Sequence, residues 1–226
     1  MSTATPRDIK TLAYVLKRTN YGEADRILNI ITPSGKKSVI AKSVRKEKSK
    51  LAGGVEMFSL VELNIHQGRG EMGLVTSARM IKYHNNLVTD FSRMELAAEM
   101  LKKVSLAAEG TETGDFFDIV RQGLTELDSG ADARVVKTWF IVKLLKASGE
   151  ELNLYRDSSG EKLVAGTLYN WDAMEKAFFA RENGDFNEND IKLLRLMTTS
   201  DLVLVRRVKN IGDNIDKILS FAKNMV

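Results

Sequence analysis

Seven basic residues crowd into the stretch from Lys36 to Lys50, namely Lys36, Lys37, Lys42, Arg45, Lys46, Lys48 and Lys50, against a single acid, Glu47. Ammonium and guanidinium groups at this density can displace the counterions condensed on a polyphosphate backbone. Charged runs are more often solvated surface loops, so the meaning of this one depends on what holds it. Gly53, Gly54 and a strand-patterned run follow it, Arg69 lies in a later turn, and Tyr21 lies in an earlier one. Tyr14, Tyr21 and Phe58 are rings on which unpaired bases could stack. Phe58, within an apolar stretch, reads as core, whereas Tyr21, in a turn, reads either way.

Covalent chemistry finds few candidates. The chain contains no cysteine, which removes disulfides, thiolate metal sites and cysteine nucleophiles. Glu23 and Asp25 are close in sequence, but acid–base work needs a cleft and a partner of shifted pKa, and no histidine stands near them. One of the two is expected to pair with Arg26 or to close the turn after Gly22. His66 is expected to face solvent on a strand and His84 to mark the entry to a helical region. Two histidines are too few for an ordinary structural zinc site. The stretch Gly68-Arg69-Gly70-Glu71-Met72-Gly73 satisfies G-x-G-x-x-G, yet Leu74 to Ile81 is β-compatible, so no helix N-terminus would follow to hold a pyrophosphate. It reads as a hairpin. No enzyme is expected, and no cofactor or metal.

The elements that must carry the basic run can be read from periodicity. Apolar residues alternate through Leu12, Tyr14 and Leu16, through Ile27 to Ile31, at Val39 and Ile40, through Val61, Leu63 and Ile65, and through Leu74 to Ile81. That pattern predicts about five strands. Turn signals separate them at Asn20 to Gly22, Pro33 to Gly35, Gly53 with Gly54, and Gly68 to Gly70. Five short strands suit a small barrel, either an OB-fold or an SH3-like one.

After Tyr83 the period becomes helical. One stripe is Phe91, Met94, Ala98, Leu101 and Val104; a second is Phe116, Ile119, Val120, Leu124 and Leu127. A third, Val135, Val136, Trp139, Phe140, Val142 and Leu145, ends at Gly149. Trp171 to Arg181 is expected to be a helix stopped at Gly184. Asn187 is expected to cap a helix over Glu188 to Met197, with Asp190 three positions after the cap. A last helix is expected from Asp213 to Met225, and the polar stretch from Glu150 to Gly166 reads as a long loop. Arg206, Arg207 and Lys209 form a second basic cluster, expected to be a solvated turn. Charge divides at the same place: through Lys82 there are 15 basic and 7 acidic residues, beyond it 19 and 23. The expected organisation is therefore a basic β-domain over 1–82 and an all-α domain over 83–226. Apolar runs are too short to span a bilayer and no signal core stands at the N-terminus, which predicts a cytoplasmic protein.

Specific motifs now resemble a family. Tyr21-Gly22-Glu23-Ala24-Asp25-Arg26-Ile27-Leu28, then Ala41-Lys42-Ser43-Val44-Arg45, then Lys48-Ser49-Lys50-Leu51-Ala52-Gly53-Gly54-Val55-Glu56-Met57-Phe58-Ser59-Leu60-Val61-Glu62-Leu63, and finally Gly68 to Gly73 are similar in order and spacing to the bacterial recombination mediator RecO. The likeness is specific from about Leu12 to Lys82, with Leu193-Leu194-Arg195-Leu196 and the last helix as weaker echoes.

The resemblance implies an N-terminal OB-fold followed by an α-helical domain. It implies binding of single- and double-stranded DNA, annealing of complementary strands, and work with RecR in placing RecA on strands coated by single-strand-binding protein. That protein's acidic C-terminal tail would dock on the helical domain. Residues matching the family's basic positions are Lys42, Arg45, Lys48, Lys50 and Arg69; Lys36, Lys37 and Lys46 join by local charge, and Tyr21 as a stacking ring. A nucleoid-associated location follows. The chain departs from the family at a zinc site that many relatives build from two Cys-x-x-Cys pairs, since Arg156 and Ser159 stand where the first pair would. An RNA-binding barrel in translation or ribosome assembly is the rival expectation.

Overall fold

The computed structural model describes residues 7–70, 72–110 and 113–225; Glu71 of the glycine-rich turn lies outside them. Five strands, β1 (Arg7–Tyr21), β2 (Asp25–Thr32), β3 (Gly35–Ala41), β4 (Ser59–Gln67) and β5 (Gly73–Tyr83), close into a barrel of order β1-β2-β3-β5-β4. Neighbours are antiparallel except β3 and β5, which run parallel through Val39 opposite Gly73 and Ile40 opposite Leu74. This is the OB-fold arrangement, which resolves the choice left open between barrels. β1 serves both sides of the closure. Its first half pairs with β4 and its second with β2, and a register shift between Val15 and Lys17 lets it turn from one to the other.

The barrel interior follows the two-residue period: Ala13 and Val15, Leu28 and Ile30, Val39 and Ala41, and Val61, Leu63 and Ile65 fill it. The β1 stripe of Leu12, Tyr14 and Leu16 therefore faces outward. Tyr14 and Leu16 are buried all the same, because helices cover that face. After α1 (Asn85–Thr89), α2 (Phe91–Ala107) and α3 (Asp115–Asp128) pack against β1, and the Phe117 ring lies 5.7 Å from that of Tyr14. Burial pushes the Tyr14 phenol well above its ordinary pKa. On α2 the buried residues are Leu96, Ala97, Met100, Leu101 and Val104. Phe91 and Ala98, expected in the stripe, are exposed, because the helix is rotated relative to the spacing chosen. The α3 stripe is buried as expected.

His84 precedes α1 and is fully buried. Its Nε2 lies 3.5 Å from the Tyr14 hydroxyl and its Nδ1 3.5 Å from Asp128 Oδ2. Burial and the Lys82 charge hold its pKa below the usual imidazole value, against the pull of Asp128.

Strands give way to helices at Tyr83, but the chain's compact units divide after Gly130. The difference from a boundary at 82 has a physical cause: α2 and α3 cover β1 and so belong with the barrel.

In the second unit, α4 (Ala133–Ala147) buries Val135, Val136, Trp139, Phe140, Val142 and Leu145 and stops before Gly149. The expected helix over Trp171 to Arg181 is instead a hairpin of β6 (Tyr169–Asp172) and β7 (Ala177–Ala180). Asp172 Oδ1 accepts the N–H groups of Met174 and Glu175 to form the turn, and Met174, apolar but 95% exposed, projects from it. Aromatic packing overrides the helical spacing: Trp171 and Phe178 are 5.0 Å apart, and Trp171 and Phe221 are 5.2 Å apart. α5 (Glu188–Thr199) begins with the expected capping box of Asn187 and Asp190, whose side chain also meets Lys217. α6 (Leu202–Val205), which sequence spacing did not predict, precedes α7 (Ile211–Lys223).

The polar loop ahead of β6 contains a short bridge between Arg156 and Lys162. There Asp157 Oδ1 accepts from the Ser159 hydroxyl and from the N–H groups of Ser159 and Glu161, which keeps its carboxyl below the ordinary range. A zinc ion does not fit these residues, since the turn offers no thiolate and its carboxylate oxygen is already engaged. Among the described residues no cluster of histidine and carboxylate groups could hold a metal.

Candidate nucleic-acid interface

The run from Lys42 to Phe58 joins β3 to β4 and is built of alternating pins and cations. Val44 and Val55 insert into the barrel core, and Leu51 and Met57 pack against it. Between the pins, Lys42, Arg45, Lys46, Lys48 and Lys50 are exposed. Consecutive turns shape the segment: Lys46 N–H donates to Ser43 O (3.1 Å), Ser49 N–H to Lys46 O (3.0 Å) and Gly54 N–H to Leu51 O (3.0 Å). Gly54 lies so close to β5 that a Cβ would stand 2.5 Å from Ala78 Cβ. At the far end, Arg18 of β1 holds Glu56 at 2.8 Å.

The near end is fastened to the turn between β1 and β2. Asp25 Oδ1 accepts the Ser43 N–H (2.6 Å), Ala24 O accepts the Arg45 N–H (2.9 Å), and Gly22 O accepts from Arg45 Nη1 (3.4 Å). Tyr21 stands opposite Asp25 in the β1–β2 ladder and is 54% exposed. The structure thus brings Tyr21 to the end of the barrel where the basic loop begins. Tyr14, by contrast, is core. Phe58 is half-buried with a left-handed backbone (φ 58°), and its carbonyl accepts the His84 N–H. Asp25 therefore grips the basic loop, where sequence reasoning expected a pair with Arg26 or closure of its own turn.

The remaining predicted residues stand differently. Lys36 is turned away: its side chain is 11% exposed, donates to Ser105 O at 2.7 Å and pairs with Glu109 of the α2 end. Lys37 is half-buried opposite Ile30. Arg69 is exposed on the β4–β5 hairpin. Since Gly73 pairs with Val39, that hairpin leaves the barrel on the Lys37 side of β3, away from the Ala41 end where the loop starts. Among the described residues Lys42, Lys46, Lys48, Lys50 and Arg69 form no ion pair, whereas Lys10 and Arg79 both hold Glu62, at 3.2 and 3.1 Å. Those contacts, led by the Lys10 hydrogen bond, keep the Glu62 carboxyl below its ordinary range. Among the cations predicted to meet DNA, those exposed and without a carboxylate partner include the loop set and Arg69. His66 is exposed on β4 beside Asp8 (2.8 Å), as expected of a surface strand position.

Sequence reasoning missed the pins and the fastening. Val44, a lone apolar residue in a charged run, was the available signal for the first.

A closed barrel of this order with loops presented at its ends defines an OB-fold protein, a type that binds oligonucleotides and oligosaccharides. The family described as "Recombination protein O N terminal" matches residues 6–84. A DNA repair protein RecO from Dehalococcoides mccartyi is 30% identical over 224 residues, covering 90% of this chain and 83% of that protein. Others from a Roseiflexus species and Rubrobacter xylanophilus are 33% and 31% identical over 66% and 60% of this chain, or 53% and 55% of their own lengths. The chain belongs to the RecO family of DNA repair proteins. No helix among the described residues is long and apolar enough to cross a membrane.

Proposed function

We propose that this protein binds single- and double-stranded DNA through the pinned basic loop, anneals complementary strands, and helps RecR place RecA on strands coated by single-strand-binding protein. The observation that carries the reading is the set of exposed, carboxylate-free cations held on a rigid barrel in a RecO-family chain. Such cations bind phosphates without reading bases, which lowers repulsion between two strands and leaves their bases free to pair. No bond is broken in this scheme; Asp25, at the near end of the loop, is engaged as a structural acceptor. A nuclease assay in magnesium is expected to be blank. The deciding measurement is annealing of complementary strands by the full chain, with and without single-strand-binding protein. Absence of annealing overturns the proposal, and a preference for RNA would favour a role in translation instead.

We infer that the acidic tail of single-strand-binding protein docks on the second unit, a reading supported by one cavity there. A cavity of about 1060 Å³ is lined by Trp171, Phe179, Phe221, Lys176, Arg181 and Lys217, among others. Lys176 faces Glu150 and Lys217 is committed to Asp190, so Arg181 is the cation assigned to the tail's carboxylates and the rings to its apolar end. Replacing Trp171 and Arg181 with alanine in the full chain should abolish retention of a tail peptide; undiminished retention would place the contact elsewhere.

A further inference from the structure

The structure assigns Asp25 a function in the DNA site: it is the positioning residue that sets the geometry of the basic loop, an inference resting on the DNA-binding reading above. The loop leaves β3 at Ala41 and reverses at Ser43, a residue with a side chain held in the left-handed region at φ 53°. That conformation is disfavoured for any residue bearing a Cβ, so something must hold it. Asp25 Oδ1 does so by accepting the Ser43 N–H at 2.6 Å. The two bonds from Arg45 to Ala24 O and Gly22 O continue the seam. Asp25 lies directly across the ladder from Tyr21, so one carboxylate registers the aromatic turn against the first cations of the loop.

This makes a carboxylate useful where electrostatics alone would call it harmful. A negative charge beside a phosphate-binding loop repels the ligand, and its removal by itself should tighten binding. Positioning and repulsion therefore differ in sign, and two substitutions separate them. Asp25→Asn removes the charge but keeps a carbonyl oxygen that can accept from Ser43. Asp25→Ala removes both.

The experiment measures affinity for a fluorescent oligothymidylate by anisotropy, together with amide hydrogen exchange across 42–50 in the full chain. The expected order is Asn at least as tight as wild type, and Ala about tenfold weaker, equivalent to about 1.4 kcal/mol. The Ser43 and Arg45 amides should be protected in wild type and in the Asn variant, and exposed in the Ala variant. Ala binding as tightly as Asn, or more tightly than wild type, overturns the inference. So does fast exchange at Ser43 in wild type, a result that needs no variant to fold. If wild type fails to bind DNA, the functional reading falls, and the exchange data still decide what Asp25 does to the loop.

Discussion

Removing the loop's cations should change how binding responds to salt more tellingly than how tight it is at one condition. Five exposed cations, Lys42, Arg45, Lys46, Lys48 and Lys50, occupy the pinned segment. Each phosphate neutralised on a single strand contributes about −0.7 to the slope of log affinity against log salt, so five contacts give roughly −3.5. Raising salt from about 50 to 200 mM would then weaken wild-type binding roughly 130-fold. Changing Lys42, Arg45, Lys48 and Lys50 to alanine leaves Lys46, a slope near −0.7, and a loss of only about threefold over the same range. None of the four is a core pin, so the thermal midpoint should hold. The assay is an anisotropy titration of single strands of two unrelated sequences at several salt concentrations. A variant slope as steep as that of wild type would refute the reasoning, because the counterions would then be released by a different surface.

Three further outcomes follow from the geometry. Lys36→Met should leave the salt slope unchanged yet lower stability by about 1–2 kcal/mol in chemical denaturation, because its ammonium is spent on Ser105 O and Glu109. Gly54→Ala should cost about 1–3 kcal/mol, since its new methyl meets the Ala78 backbone, and thermal unfolding checks it. The pKa of His84 is depressed in the folded protein, so its contribution to stability is fully present above the unfolded value of about 6.5 and is lost as pH falls through the folded value. One proton sets the limit at about 1.4 kcal/mol per pH unit. Asp128, Lys82 and Tyr14 face this ring. Subtracting the profile of His84→Gln isolates its share, and identical profiles would show that the ring titrates normally.

Local chemistry made the barrel legible. Strand alternation, Gly22, the Pro33–Gly35 turn and the Gly68–Gly70 turn mark its elements, and Asn187 with Asp190 marks the start of α5. Where long-range packing decides, the sequence misleads. Tyr14 and Leu16 are outside the barrel and still buried because α2 and α3 lie over them. Trp171 to Arg181 has helical spacing, yet Phe178, Phe186 and Phe221 recruit Trp171 into a ring cluster that only a hairpin satisfies. The basic run was plain, but not the split within it: Lys36 is drawn to α2 by Glu109, a residue 73 positions away. Asp25 likewise finds its partner 18 positions downstream, beyond what spacing within a turn can reveal.

The dependence of the barrel on α2 and α3 bears on how the protein emerges from the ribosome. The last barrel strand is complete at Tyr83, but the cover for Tyr14 and Leu16 ends with α3 at Asp128. At ordinary synthesis speeds roughly 2 to 9 s separate the two. During that interval a nascent chain carries an unclothed greasy flank on its oldest strand, a natural foothold for chaperones.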